Sequence, residues 1–99
     1  MADVYSIVRP AIASRRQIIA TYGGHQREMC PHAIGTKAGR PQALFFQFGG
    51  SSSSGLPPGG EWRCLPLAGL SNVTAVDGPW HTAPHTQAQT CIDEVDLEV

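Results

Sequence analysis

Hydrophobic residues near the start of the chain recur at the spacing of one helix face. The residues at this spacing are Val4, Ile7, Val8, Ala11 and Ile12. Asp3 precedes them as a candidate N-cap, and the pattern ends near residues 15–16, so it predicts an amphipathic helix. Pro10 leaves two interpretations, because proline either kinks a helix or occupies its first turn. The helix is kinked at Pro10 or begins there.

The later pattern alternates with the period of β-strands. It predicts strands over residues 17–22, 25–34, 42–48, 61–67 and 70–76. Gly23 and Gly24 are typical of a hairpin turn, residues 35–41 are rich in turn formers, and Pro31 indicates an edge or a bulge. Residues 93–99 alternate acidic with aliphatic side chains, which predicts an edge strand with a charged outer face.

Alternation also predicts which side chains share a face of the sheet. On the second predicted strand, Arg27 and Met29 lie on one face, while Cys30 and His32 lie on the other. The same rule places Phe45 opposite to Phe46 on the third strand. On the fourth strand, it separates Arg63 and Leu65 from Trp62 and Cys64.

Composition predicts one small domain over residues 1–99. Hydrophobic residues make up 41% of the chain and charged residues 15%, which suits a small core. Glycine and proline contribute 19 of the 99 residues, which favours short strands and turns over a helical bundle. Residues 49–60, rich in Gly, Ser and Pro, are predicted to form a flexible loop within the domain; a domain boundary is the alternative.

Charge is distributed unevenly along the chain. Residues 1–50 carry a net charge of +4 and residues 51–99 a net charge of −5, so overall charge does not favour non-specific binding to duplex DNA. Six of the seven basic residues are arginine, whose planar guanidinium grips phosphate and carboxylate through paired donors. A GC-rich genome would produce the same bias.

The sequence favours a cytoplasmic location. No signal peptide begins the chain, and no hydrophobic stretch approaches the length of a membrane helix. The three cysteines, Cys30, Cys64 and Cys91, are far apart in the sequence and are expected to be buried free thiols.

Three short segments resemble the WYL domain family, most closely its short stand-alone bacterial members. They are Arg27-x-x-x-Pro31-His32, Leu44-Phe45-Phe46 and Trp62-Arg63-Cys64-Leu65, and the resemblance extends over residues 6–76. It implies an α+β fold in which an N-terminal helix precedes a strongly bent antiparallel sheet, closed into a small SH3-like or Sm-like β-barrel. Family members typically sense ligands in transcription regulators and phage-defence proteins, where basic barrel residues engage nucleotides or nucleic acid.

Individual positions follow the family pattern to different degrees. Arg27 and Arg63 stand where the family has arginines, and Phe45 stands approximately where it has the tyrosine of its Trp-Tyr-Leu motif. Gly69 stands where the family has a second arginine after Arg63.

These observations predict a non-enzymatic sensor module that binds an anionic ligand, either a nucleotide or single-stranded nucleic acid. Arg27 and Arg63 on neighbouring strands would converge on one anion, His32 is a candidate further donor, and Phe45 is a candidate for stacking on a base. Simpler interpretations stay open for each residue. The arginines pair with Glu28, Glu61 or a C-terminal acid, His32 satisfies a backbone carbonyl, and Phe45 packs beneath the helix.

Metal binding and catalysis have weaker support in the sequence. Cys30, His32, His81, His85 and Cys91 are potential zinc ligands, but the closely paired cysteines of a structural site are missing. A cysteine nucleophile would lack a clearly placed acid to orient its histidine. We therefore predict no metal, no cofactor and no enzymatic activity. A second hypothesis is an assembly module in which strand 93–99 pairs with a protein partner or a second copy.

Overall fold

The fold consists of one helix followed by an antiparallel sheet. The computed structural model describes residues 3–51, 59–83 and 92–99. Helix α1 (Val4–Ser14) precedes strands β1 (Gln17–Tyr22), β2 (His25–Lys37), β3 (Arg40–Gly50), β4 (Glu61–Pro66), β5 (Ser71–Val76) and β6 (Glu94–Glu98). A short 3₁₀ helix, Leu67–Gly69, lies between β4 and β5. The predicted loop over residues 49–60 falls partly outside the described residues, and its first two glycines belong to β3.

Helix α1 begins at its predicted cap. The carboxylate of Asp3 accepts a hydrogen bond from the backbone N–H of Ser6 at 2.8 Å. Pro10 lies inside the helix, so the helix begins at Val4 and not at Pro10. It ends at Arg15, whose backbone adopts the left-handed conformation with φ of 54°. Its buried residues, Val8, Ala11 and Ile12, face the sheet and join its main core.

The strand order is β4-β3-β2-β1-β5, and β6 also pairs with β2. The first part of β2 pairs with β1, and residues 33–36 pair with β6. The long β2 strand therefore has two successive neighbours along one edge.

The predicted N-terminal helix and antiparallel sheet are confirmed. Strands β4 and β5 end the strand order, and within the described ranges no pairing joins them. The 3₁₀ turn at Leu67–Gly69 connects β4 to β5, which pairs with β1. Closure of the sheet into a barrel is not seen in these pairings and stays a prediction.

Two apolar clusters occupy the two faces of the sheet. Beneath α1 lies the larger cluster, which includes Ile18, Met29, Phe45 and Leu65. The second cluster contains Ala33, Leu44 and Ile92, with Trp62 and Cys64 packed against it. The faces predicted by alternation for β3 and β4 are confirmed.

The β2–β3 turn is shorter than predicted. Instead of residues 35–41, it consists of Ala38 and Gly39, both with positive φ as in a tight hairpin turn. Gly35 lies within β2, where a Cβ atom would stand 1.9 Å from the carbonyl oxygen of Glu94. This glycine permits the close approach of β6 and does not form a turn.

Strand β6 is the predicted C-terminal edge strand, and two acids hold it in place: Asp96 within the strand and Asp93 just before it. Asp96 accepts hydrogen bonds from the hydroxyl of Tyr5 and from Nε of Arg9. Asp93 accepts from the backbone N–H of Ala38 at 3.0 Å. These hydrogen bonds hold the pKa of each carboxyl below its ordinary value. The acids thus anchor β6 to α1 and to the β2–β3 turn, beyond giving it a charged outer face.

The segment after β5 crosses the second face of the sheet. The side-chain amide of Gln17 donates to the carbonyl of Pro79 at 2.7 Å, and the ring of His81 stacks on Phe48 with a centroid separation of 4.0 Å. The backbone N–H of His81 also donates to Sγ of Cys30. These contacts hold residues 77–83 against β2 and β3.

The prediction of three free thiols is wrong for Cys64, which is disulfide-bonded. Sequence spacing misleads here because it does not determine which cysteines come together in the fold. Cys30 is a buried free thiol as predicted, and burial raises its pKa, so little reactive thiolate is present at neutral pH. Cys91 lies outside the described residues.

Candidate anion-binding site

Arg27 is a nearly buried cation, and its hydrogen-bond partners within the described residues are neutral. Only 4% of its surface is exposed. Its Nε and Nη2 atoms donate to the carbonyl oxygen of Tyr22 at 3.3 and 3.2 Å, and Nη1 donates to Oε1 of Gln47 at 3.3 Å. No carboxylate pairs with it among the residues that the structure describes. A guanidinium has five N–H groups, so these three bonds leave two for another acceptor.

Gln47 orients the Arg27 guanidinium. This side chain is fully buried on β3, in the position opposite Met29 of β2. Its Nε2 atom donates to the carbonyls of Gly49 and Ser51 at 3.0 and 3.1 Å. Because both carbonyls need the amide nitrogen, Oε1 must point towards Arg27.

Tyr22 covers the other side of Arg27. Cζ of Arg27 lies 5.2 Å from the centre of the Tyr22 ring, which suits a cation–π contact. The ring also lies against Gly69, where a Cβ atom would stand 2.6 Å from Cε2 of Tyr22. A side chain at Gly69, where the WYL pattern has an arginine, would therefore displace Tyr22 and disturb the surroundings of Arg27.

Arg63 lies on the same face of the sheet and has an acidic partner. Its strand, β4, is not a neighbour of β2 as predicted, because β3 lies between them. In the β3–β4 register Arg63 is directly opposite Phe45, so both side chains point to the α1 side. Its Nη2 atom lies 2.9 Å from Oε2 of Glu61, and the two side chains are 17% and 44% exposed. The simpler interpretation, an intramolecular ion pair, thus holds for Arg63 and Glu61.

The two arginines are close enough for their charges to interact. Burial lowers the pKa of Arg27, and the positive charge of Arg63 lowers it further. Glu61 pairs with Arg63, and no carboxylate of the described residues pairs with Arg27. The two arginines and Glu61 together carry a charge of +1.

His32 lies away from the arginines, on the opposite face of the sheet. Its Nδ1 atom lies 2.8 Å from the carbonyl oxygen of Cys30, and Nε2 lies 3.0 Å from Oγ1 of Thr82. Its ring packs between Trp62 and Trp80, each with a centroid separation of 4.7 Å. It therefore supports the residue 77–83 segment and adds no donor beside Arg27.

Phe45 has no exposed surface and belongs to the main core with Val8 and Ile12 of α1. The expected stacking on a base is therefore not available to it, because a ligand cannot reach the ring while the core is intact. The alternative interpretation, packing beneath the helix, describes its position.

Sequence reasoning named Glu61 as a possible partner of the arginines but missed two residues of the site, Tyr22 and Gln47. Gln47 had a usable signal, since it is the one polar residue between the phenylalanines of a strongly hydrophobic strand. A polar side chain on the core face needs a hydrogen-bond partner, and Arg27 shares that face. The carbonyl of Tyr22 had no comparable signal.

No group of three or more potential metal ligands comes together within residues 3–51, 59–83 and 92–99. His85 and Cys91, two of the candidates from the sequence, lie outside those ranges. Within the same ranges, no helix is both long enough and apolar enough to cross a membrane.

Comparison of the chain with protein families, curated proteins and solved structures finds no match.

Proposed function

We propose that this protein is a non-enzymatic module that binds an anionic ligand, a nucleotide or single-stranded nucleic acid, at Arg27 and Arg63. The observation that supports this most directly is the burial of Arg27 without a carboxylate partner in the described part of the chain. Burying a charge without a counter-charge is costly, and a bound anion would offset that cost.

The two arginines have different parts in this proposal. Arg63 is the more exposed, and its guanidinium makes the contact with the ligand. Arg27 contributes two N–H groups and a positive charge in a site of reduced dielectric, where an anion is attracted more strongly than in water. The resemblance of the three short segments to WYL domains supports the same role in transcription regulation or defence. The cytoplasmic location stays a prediction.

We expect Arg63→Ala to weaken binding of AMP and of a short oligothymidylate by about 10- to 150-fold, the loss of a charge-assisted hydrogen bond. Arg27→Gln is expected to have a similar effect, whereas Arg27→Lys keeps the charge and retains most of the affinity. Binding is measured at low salt by calorimetry or by NMR titration, and the circular dichroism spectrum of each variant checks its fold.

Arg40→Ala is the matched control. It removes one arginine at the turn end of β3, an exposed position far along the strand from Gln47. Its effect should be less than twofold. Equal losses in Arg40→Ala and Arg63→Ala, or no binding by the unaltered protein, would exclude this site.

A second candidate function is self-assembly through β6. Within the described residues, β6 pairs with β2 alone, and the large hydrophobic residues that are most exposed are Val95 at 44% and Val99 at 48%. Edge strands with exposed aliphatic residues can pair with another chain. We expect the unaltered protein to sediment as a dimer and Val95→Lys as a monomer; a monomeric unaltered protein at high concentration would exclude self-assembly.

A further inference from the structure

We propose that Glu61 selects the charge of the ligand, so that the site takes a singly charged phosphodiester in preference to a doubly charged terminal phosphate. This inference rests on the proposed anion-binding function. It narrows the ligand from nucleotides in general to the internal backbone of a single strand.

The first argument is the position of Glu61. On β4 it is directly opposite Gln47, the residue that holds Arg27, and its carboxylate lies 2.9 Å from Nη2 of Arg63. An acid therefore stands beside the more exposed of the two arginines, and its own side chain is more exposed than that of Arg63. An anion that contacts Nη2 of Arg63 would lie close to this carboxylate.

The second argument is the balance of charge. Arg27, Arg63 and Glu61 sum to +1, which one phosphodiester charge neutralises. A terminal phosphate has a second pKa near 6 and so carries nearly two charges at pH 8. With this ligand bound, the site has a net charge of −1, and the Glu61 carboxylate repels the second phosphate charge. Binding would otherwise require the Glu61 side chain to turn out into solvent.

The third argument is that the negative charge of Glu61 can be removed without disturbing the core. The Glu61 side chain is 44% exposed, and it pairs with Arg63 at the edge of the sheet. Glu61→Gln keeps the size and polarity of the side chain and changes the charge of the site from +1 to +2. The variant should fold like the unaltered protein and favour the doubly charged ligand.

The experiment uses two small probes, dimethyl phosphate and methyl phosphate, which differ by one methyl group and one charge. Both are titrated into the full chain at pH 8 and equal ionic strength, and the Nε–H resonance of Arg63 is followed by NMR. We expect the unaltered protein to bind dimethyl phosphate at least as tightly as methyl phosphate. In Glu61→Gln, the ratio of the two affinities should shift about fivefold towards methyl phosphate.

Glu94→Gln is the matched control. It removes the same charge from an exposed position on β6, which pairs with Thr36 near the turn end of β2 and away from Arg27. The affinity ratio should not change in this variant. An unchanged ratio in Glu61→Gln, with both probes still bound, overturns charge selection and leaves the anion site in place. If the unaltered protein binds neither dimethyl phosphate nor methyl phosphate, the proposed anion-binding function itself is overturned.

Discussion

Replacing Gly35 with alanine is expected to detach β6 from the sheet and to lower the free energy of unfolding by about 3–5 kcal/mol. The new Cβ would stand 1.9 Å from the carbonyl oxygen of Glu94 and 2.7 Å from Cγ2 of Ile92. A backbone oxygen cannot move aside while β6 stays paired. Its separation exposes Ile92, which is buried, and Leu97, which packs against the main core.

Urea denaturation measures the loss, and the backbone NMR signals of residues 94–98 show whether the strand has left β2. Gly49→Ala is the control, because its Cβ would meet only the side chain of Glu28, an exposed residue that can turn away. That variant should lose less than about 1 kcal/mol. Similar stability of the two variants would contradict the close packing of β6 on Gly35.

The second large effect is expected at Phe45. Truncation to alanine leaves a cavity at the centre of the main core, and such changes typically cost about 3–5 kcal/mol of unfolding free energy. A small domain has roughly 5–15 kcal/mol in total, so the variant should be partly unfolded near its normal growth temperature.

Phe48→Ala is the comparison on the same strand. Phe48 is only half-buried and stacks on His81, so its removal should cost clearly less, about 1–2 kcal/mol. Thermal denaturation ranks the two variants. If Phe45→Ala kept its stability but lost affinity for an oligonucleotide, Phe45 would be a ligand contact after all, in contradiction to its burial.

The alternating pattern predicted the strands and their faces because successive side chains of a β-strand point to opposite faces of the sheet. Turns were harder to predict, and Gly35 shows why. A glycine in a sequence indicates either a turn or a close approach of another chain segment, and only the position of β6 distinguishes the two. The pairing of β5 with β1 was equally hard to predict, since it depends on the path of the chain through Leu67–Gly69.

The sequence predicted which side chains of the site lie on the same face of the sheet, but not all of the contacts that those side chains make. Arg27 and Arg63 share a face of the sheet and their charges interact, but their strands are separated by β3 and are not neighbours as predicted. The bulge after Pro31 does not bring His32 to the face of the two arginines. Phe45 is on that face, but it is fully buried and so cannot contact a ligand. The partners of Arg27 come from a backbone carbonyl and from a buried amide, whose positions follow from tertiary packing.

Strands β1 and β6 both pair with β2, and they are expected to do so at different times during folding. Strand β1 reaches β2 through a two-residue turn, whereas more than fifty residues of the chain separate β2 from β6. Closing so large a loop is entropically slow, so the local hairpins form the nucleus and β6 docks late. During synthesis on the ribosome, the backbone groups of β2 that later pair with β6 therefore stay unpaired until residues 94–98 emerge. Until then, a strand of another chain could pair with them.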